Sequence, residues 1–286
     1  MNPEERVAYE SRVRTRQVVL AAAAGVLVMV AVLIQIGGPH VKVNEQTLGL
    51  VTEAKRATRD LIGSIANAVG FFALGATFWY LWGSTVAREP NVKPRIVGII
   101  AVLGCALFGI SEVVYVASYG AQAHDFVSHG SQTYPQANAL LTKPILVVPQ
   151  ITNDFGLLLV AVGYVMVSLN AMRVGLLTKF LGYLGIIAGV LTIIPLVPIP
   201  IVAAYWLLAL AYLFSGRWPS GVPPAWSSGR AEPWPRAQRA ERTAREPLFG
   251  RGRGKPAPQP APEPVGAPAP GSTRSTTSKR KRKRRK

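Results

Sequence analysis

Four stretches of this chain, 18–36, 61–82, 96–119 and 155–169, run for 15 to 24 residues and contain a single acidic or basic side chain between them, Glu112. Crossing the hydrocarbon of a bilayer takes about 20 apolar residues in a helix, whereas a helix on a soluble core keeps one face polar. The runs therefore predict membrane spans. A fifth apolar stretch, 176–214, has 39 residues, about 58 Å as a helix and roughly twice the bilayer core. It must fold back. The segment "IPLVPIP" marks where, because Pro195, Pro198 and Pro200 remove backbone donors and disfavour helix at the residue before each. Spans five and six fall near 176–194 and 199–214. The predicted fold class is all-α, a polytopic membrane helix bundle of about six transmembrane helices.

Arg12, Arg14 and Arg16 precede the first run as they would in a signal peptide. Its apolar core of 19 residues is longer than a signal core and ends in "QIGGPH" without a small-x-small cleavage site. A retained anchor is the expectation. Orientation follows from Lys and Arg in the connections, which resist translocation. With six spans and residues 1–17 cytosolic, the inner segments carry four, three, two and then eighteen basic residues, and the outer ones four, one and none. Only the first outer loop, with Lys42, Lys55, Arg56 and Arg59, runs against the rule. Both termini are predicted in the cytosol, with the protein in the cell membrane.

Charge separates a second part of the chain. Residues 216–286 hold 18 of the 32 Lys and Arg, 4 of the 14 Asp and Glu, and 13 of the 23 prolines. They carry 18 − 4 = +14 of a net charge of +18. Such a composition cannot bury a core, so 215–286 is predicted as a disordered tail. Its last eight residues, Lys279, Arg280, Lys281, Arg282, Lys283, Arg284, Arg285 and Lys286, are all cationic. Each is worth about 1 kcal/mol near an anionic leaflet, which makes lipid headgroups the expected partner. Nucleic acid is the rival, through counterion release, although the octad has no aromatic ring on which a base can stack. A solvated tail without a dedicated partner is the third reading.

Aromatic residues mark the predicted interfaces. Trp79 and Trp82 close the second span, and Trp218, Trp226 and Trp234 follow the sixth at eight-residue intervals. Their amphipathic rings favour the headgroup zone. The connection 120–150, with Pro135, Pro144 and Pro149, is where a short surface structure over the bundle is expected.

The segment "NAMRVGLLTKFLGYLGIIAGVL", from Asn170 to Leu191, resembles a family of bacterial multi-pass integral membrane proteins known only as a domain of unknown function. The pattern is a helix ending in a basic residue, a Gly-Leu turn, a second basic residue and a Gly-rich span, here Arg173, Gly175, Leu176, Lys179, Gly182 and Gly185. "GISEVVYVAS" is similar to a family segment with an acid inside the third span. The resemblance covers roughly 15–214 and implies a compact membrane bundle. It supplies no activity, and the long basic tail departs from it.

No phosphate-binding G-x-x-x-x-G-K-[ST], H-E-x-x-H, C-x-x-C pair or G-x-S-x-G occurs, which argues against transport driven by this chain's own ATPase. No catalytic residue, cofactor or metal is assigned. His124, Asp125 and His129 are of zinc-ligand type, but their spacing puts them on different sides of a helix. Cys105 reads as a small buried hydrophobe. Ala21 with Gly25, Gly63 with Asn67 and Gly70, and Gly185 with Gly189 read as helix-packing positions. Glu112 is different, because a carboxyl within hydrocarbon is expensive and faces a partner or a cavity. Counting rise per residue places Asn67, Glu112, Tyr115 and Asp154 at similar depth in the outer half of the bundle. They form the expected ligand-binding cluster, for small-solute binding or transport. The alternative is a non-catalytic membrane scaffold whose polybasic tail contacts anionic lipid or RNA. An intramembrane enzyme is a third class.

Overall fold

The computed structural model describes residues 2–36, 46–90, 96–129, 131–194, 200–219 and 221–232, and among these there is no strand. Among the described residues eight helices follow one another: α1 Pro3–Gln35, α2 Gln46–Arg88, α3 Val97–His129, α4 Tyr134–Leu141, α5 Pro144–Arg173, α6 Lys179–Ile193, α7 Ile201–Phe214 and α8 Pro224–Ser228. Four of them, α1, α2, α3 and α5, are long and apolar enough to cross a membrane. The apolar α6 and α7 have 15 and 14 residues. Trp234 and Lys279 to Lys286, together with the tail from 233 onward, lie outside the described residues.

Local chemistry sets the helix ends. At the start of α1, Asn2 Oδ1 accepts from the Glu5 amide at 2.8 Å and Glu5 Oε2 accepts from the Asn2 amide at 3.0 Å, a reciprocal cap followed by Pro3. Between α5 and α6, Gly175 has φ 81°, the left-handed conformation that glycine adopts without strain. There the Leu176 amide donates to Ala171 O at 2.9 Å and the Gly175 amide to Met172 O at 3.2 Å, closing α5 with a Schellman turn. Thr178 then caps α6 by accepting from the Leu181 amide.

Six helices close into a ring. α1 packs on α2 and α7, α2 on α3, α3 on α5, α5 on α6, and α6 on α7, while α2 and α5 also touch across it. Its centre is aromatic: Phe78 meets Tyr164 edge-on at 4.9 Å, and Tyr164 meets Trp206 at 5.2 Å. The Trp206 indole donates to Leu181 O at 2.9 Å, so its polar atom is satisfied at full burial. The approach of α3 to α5 depends on glycine. A Cβ on Gly104 would stand 2.6 Å from Leu159 Cβ, and one on Gly156 would stand 2.7 Å from the Phe108 amide nitrogen. Outward-facing positions such as Val26, Val30, Val69, Phe72, Ile187 and Val190 stay exposed, which leaves the ring with an apolar outer surface.

Several helices outrun their apolar segments. At 43 residues, α2 is about 64 Å long, and α3 continues to His129. These extensions meet α4 around Leu50, Ala123, Phe126, Ala137 and Leu140, a second small core. The connection 120–150 is therefore a helical cap. We call this the cap end of the ring and the opposite end, where α1 starts and α2 stops, the tail end.

The tryptophans expected at a headgroup zone differ in exposure. Trp82 is only 4% exposed and packs against Val97 and Gly98 rather than standing at a surface. Trp226 is half-buried under Tyr80 and Phe214. Trp79, in contrast, is 57% exposed, and Trp218 lies partly buried beside Tyr212. Disorder from 215 onward is corrected for 215–219 and 221–232. Gly229 adopts φ 66° at the end of α8, and the Glu232 amide donates to Val174 O at 3.2 Å.

Candidate functional site

Glu112 sits on α3, within its apolar part. Asn153 of α5 donates from Nδ2 to Glu112 Oε2 at 3.1 Å, and the Asn67 side chain of α2 hydrogen-bonds the same carboxyl group. One acid thus ties three helices together. One turn toward the tail end, Phe71 and Phe108 meet at 4.3 Å and give the cluster an apolar floor. One turn the other way, Tyr115 stacks on Tyr119 at 5.9 Å with the rings 9° from parallel.

The structure brings together Asn67 and Glu112, with Tyr115 as the next turn. Asp154 is exposed, and it is Asn153, one residue earlier, that reaches Glu112. Each residue turns a helix by about 100°, so depth alone does not distinguish neighbours. Tyr115 lies within electrostatic reach of Glu53, Glu112 and Asp154. Among the described residues no basic side chain pairs with Glu112. The cluster can accept hydrogen bonds and hold positive charge or a proton. Glu53 belongs to the polar part of α2 before the apolar run. Burial pushes its carboxyl up, Asp60 adds to this and Arg56 opposes it.

Sequence reasoning missed two arrangements. At the cap end, Arg56 donates to Gln35 O and Arg59 to Ile36 O, each at 2.7 Å. These are orphan carbonyls at the carboxyl end of α1, where cations are favoured. Two of the four cations that offend the inside-positive count are therefore occupied as helix caps. At the tail end, Glu10 of α1 and Arg88 of α2 form a bidentate pair whose side chains are 7% and 0% exposed. Arg88 also donates to Ala225 O and Ser84 O, both at 3.0 Å, and its guanidinium lies 5.1 Å from the Trp226 ring. The Trp226 indole donates to Leu176 O at 2.9 Å, Arg14 Nε donates to Phe214 O, and Arg6 donates to Gly229 O at 3.3 Å. The only signal in the sequence is a lone acid among four arginines and an arginine six residues past an apolar run.

His129 Nδ1 lies 3.5 Å from Asp125, both exposed, and no group of three metal-ligating side chains gathers among the described residues.

These features define a helical bundle with four membrane-length helices and a partly buried carboxyl–amide cluster. Comparison with family models, curated proteins and solved structures returned no match to this chain.

Proposed function

We propose that the chain is an integral membrane protein with six crossings, α6 and α7 being the last two, and with both termini in the cytosol. It takes a small polar or cationic solute at Asn67, Glu112 and Asn153, reached from the outer side past Tyr115. The cap end is outside and the tail end inside. The observation that carries this reading is the Asn153–Glu112 hydrogen bond within apolar helices, where a carboxyl without a cationic partner is costly unless it serves a ligand or a proton. Six crossings are supported by the closed ring, in which α6 and α7 fill the gap between α5 and α1. At 15 residues, about 22 Å, α6 needs local thinning of the bilayer. The turn from Arg173 to Lys179, which carries the resemblance to the uncharacterised membrane family, lies on the cytosolic side in this reading.

The test is mass spectrometry of small molecules released from protein purified from its own membrane, comparing wild type with Glu112→Gln and Asn153→Ala. A compound present in the wild type and lost from both variants supports the site. The same compounds in all three, with unaltered thermal stability, leave Glu112 a structural tie only.

A further inference from the structure

A groove of about 400 Å³ runs between α1 and α2 at the tail end, lined in part by Arg6, Tyr9, Arg16, Gln17, Trp79 and Gly83. The only acid in its lining is Glu10, and Arg88 already neutralises it. Among the described residues, Arg16 has no carboxylate partner. Arg6 donates to a single carbonyl, and its Nε is buried without any partner. Gln17 Oε1 is likewise a buried acceptor with no donor. Arg6 and Arg16 therefore give this groove positive charge that no carboxylate among the described residues balances. A molecule held there must bring an anionic oxygen for the arginines.

Position selects the source of that chemistry. The groove reaches from Arg6 to Leu20, and the apolar run of α1 begins at Val18. Trp79 lines its far wall and is 57% exposed, in keeping with a ring at headgroup level. Arg6 and Arg16 are ten positions apart, roughly 15 Å along α1, a gap that two extended arginine side chains can close from either end. A polar cleft between two arginines that opens onto an apolar helix surface suits an amphiphile better than a free ion.

We propose that this groove holds an anionic phospholipid from the cytosolic leaflet, with phosphatidylglycerol as the probe. Its phosphate lies between Arg6 and Arg16, and an acyl chain runs past Trp79 along Leu20 and Ala76. The inference rests on the membrane orientation proposed above. It concerns a different site from the cationic octad.

The experiment uses the full chain in nanodiscs of phosphatidylglycerol and phosphatidylcholine, released into mild detergent and weighed by native mass spectrometry. Wild type is compared with the double variant Arg6→Gln/Arg16→Gln, with Gly83→Leu, and with a chain lacking 279–286. A Cβ on Gly83 meets nothing within 4 Å, so a larger side chain has room to start there and leaves the charge unchanged. The expected result is one retained phosphatidylglycerol per chain in the wild type and the shortened chain, falling about tenfold in the other two variants. Unchanged retention in both groove variants overturns the proposal, as does loss of the lipid on removing the octad alone. Displacement of the lipid by millimolar inorganic phosphate overturns the lipid assignment. A chain that washes off membranes in carbonate sinks the membrane reading and this proposal together, and is seen before any lipid is weighed.

Discussion

Glu10 and Arg88 stand 78 positions apart and meet through two hydrogen bonds of 2.6 Å each, buried between the first turns of α1 and the last turn of α2. Such a pair contributes little net stability compared with apolar side chains of the same size. Breaking it from one side leaves a buried charge uncompensated. Arg88→Met alone is therefore expected to destabilise the bundle by about 3–5 kcal/mol, and Glu10→Leu with Arg88→Met by clearly less. A double-mutant cycle on thermal unfolding in detergent measures the difference. Single variants as stable as the double would show the pair to be exposed or mobile in solution.

Trp226 predicts where the chain can be cut. Its ring stacks on Tyr80 at 5.8 Å, its indole satisfies Leu176 O, and α8 supplies the Ala225 carbonyl to Arg88. Ending the chain after Pro235 should leave the melting temperature where it is. Ending it after Pro219 should lower it, and Trp226→Ala should cost about 2–3 kcal/mol, below the range for a fully buried tryptophan. Equal stability of the two truncated chains would show that α8 is not seated.

Gly156 tests the closeness of α3 and α5. A methyl group there meets the Phe108 backbone nitrogen at 2.7 Å, and backbone cannot step aside as a side chain can. Gly156→Ala is expected to cost about 1–3 kcal/mol. It should also weaken the Asn153–Glu112 bond, since Asn153 lies one turn away on the same helix. Read by a double-mutant cycle, the coupling between Asn153→Ala and Glu112→Gln should shrink in the alanine background.

Arg56 and Arg59 predict a separation of stability from topology. Because they hold the carbonyls of Gln35 and Ile36, Arg56→Gln/Arg59→Gln should reduce stability by about 1 kcal/mol, the usual scale for cations at a helix carboxyl terminus. Reporters fused after Arg88 and after Lys286 should report the same sides as before. Inversion of either reporter would mean that these arginines set orientation rather than cap α1.

The long apolar helices are legible because charge-free runs need no tertiary information. The proline break between α6 and α7 was readable for the same local reason. The extensions of α2 and α3 were not, since segments such as 46–60 carry few apolar residues and bury them only where α2, α3 and α4 meet. The burial of Trp82 and Trp226 is not legible in the sequence, because the preference of indole for an interface competes with the shape of a neighbour. Gly98 offers Trp82 a slot, and Leu176 offers Trp226 a carbonyl. Within the candidate cluster, depth gave Asn67 and Glu112, but the roll of α5 about its axis decides between Asn153 and Asp154. Glu10 and Arg88 lie outside every apolar run, and nothing within a few residues of either points to the other.

Helix α2 runs unbroken from Gln46 to Arg88 with no proline in its 43 residues. Leu50 near one end is part of the cap, Asn67 touches the carboxyl group midway, and Arg88 at the other end clasps Glu10. A single rod with no built-in hinge thus joins the cap, the carboxyl group and the buried ion pair.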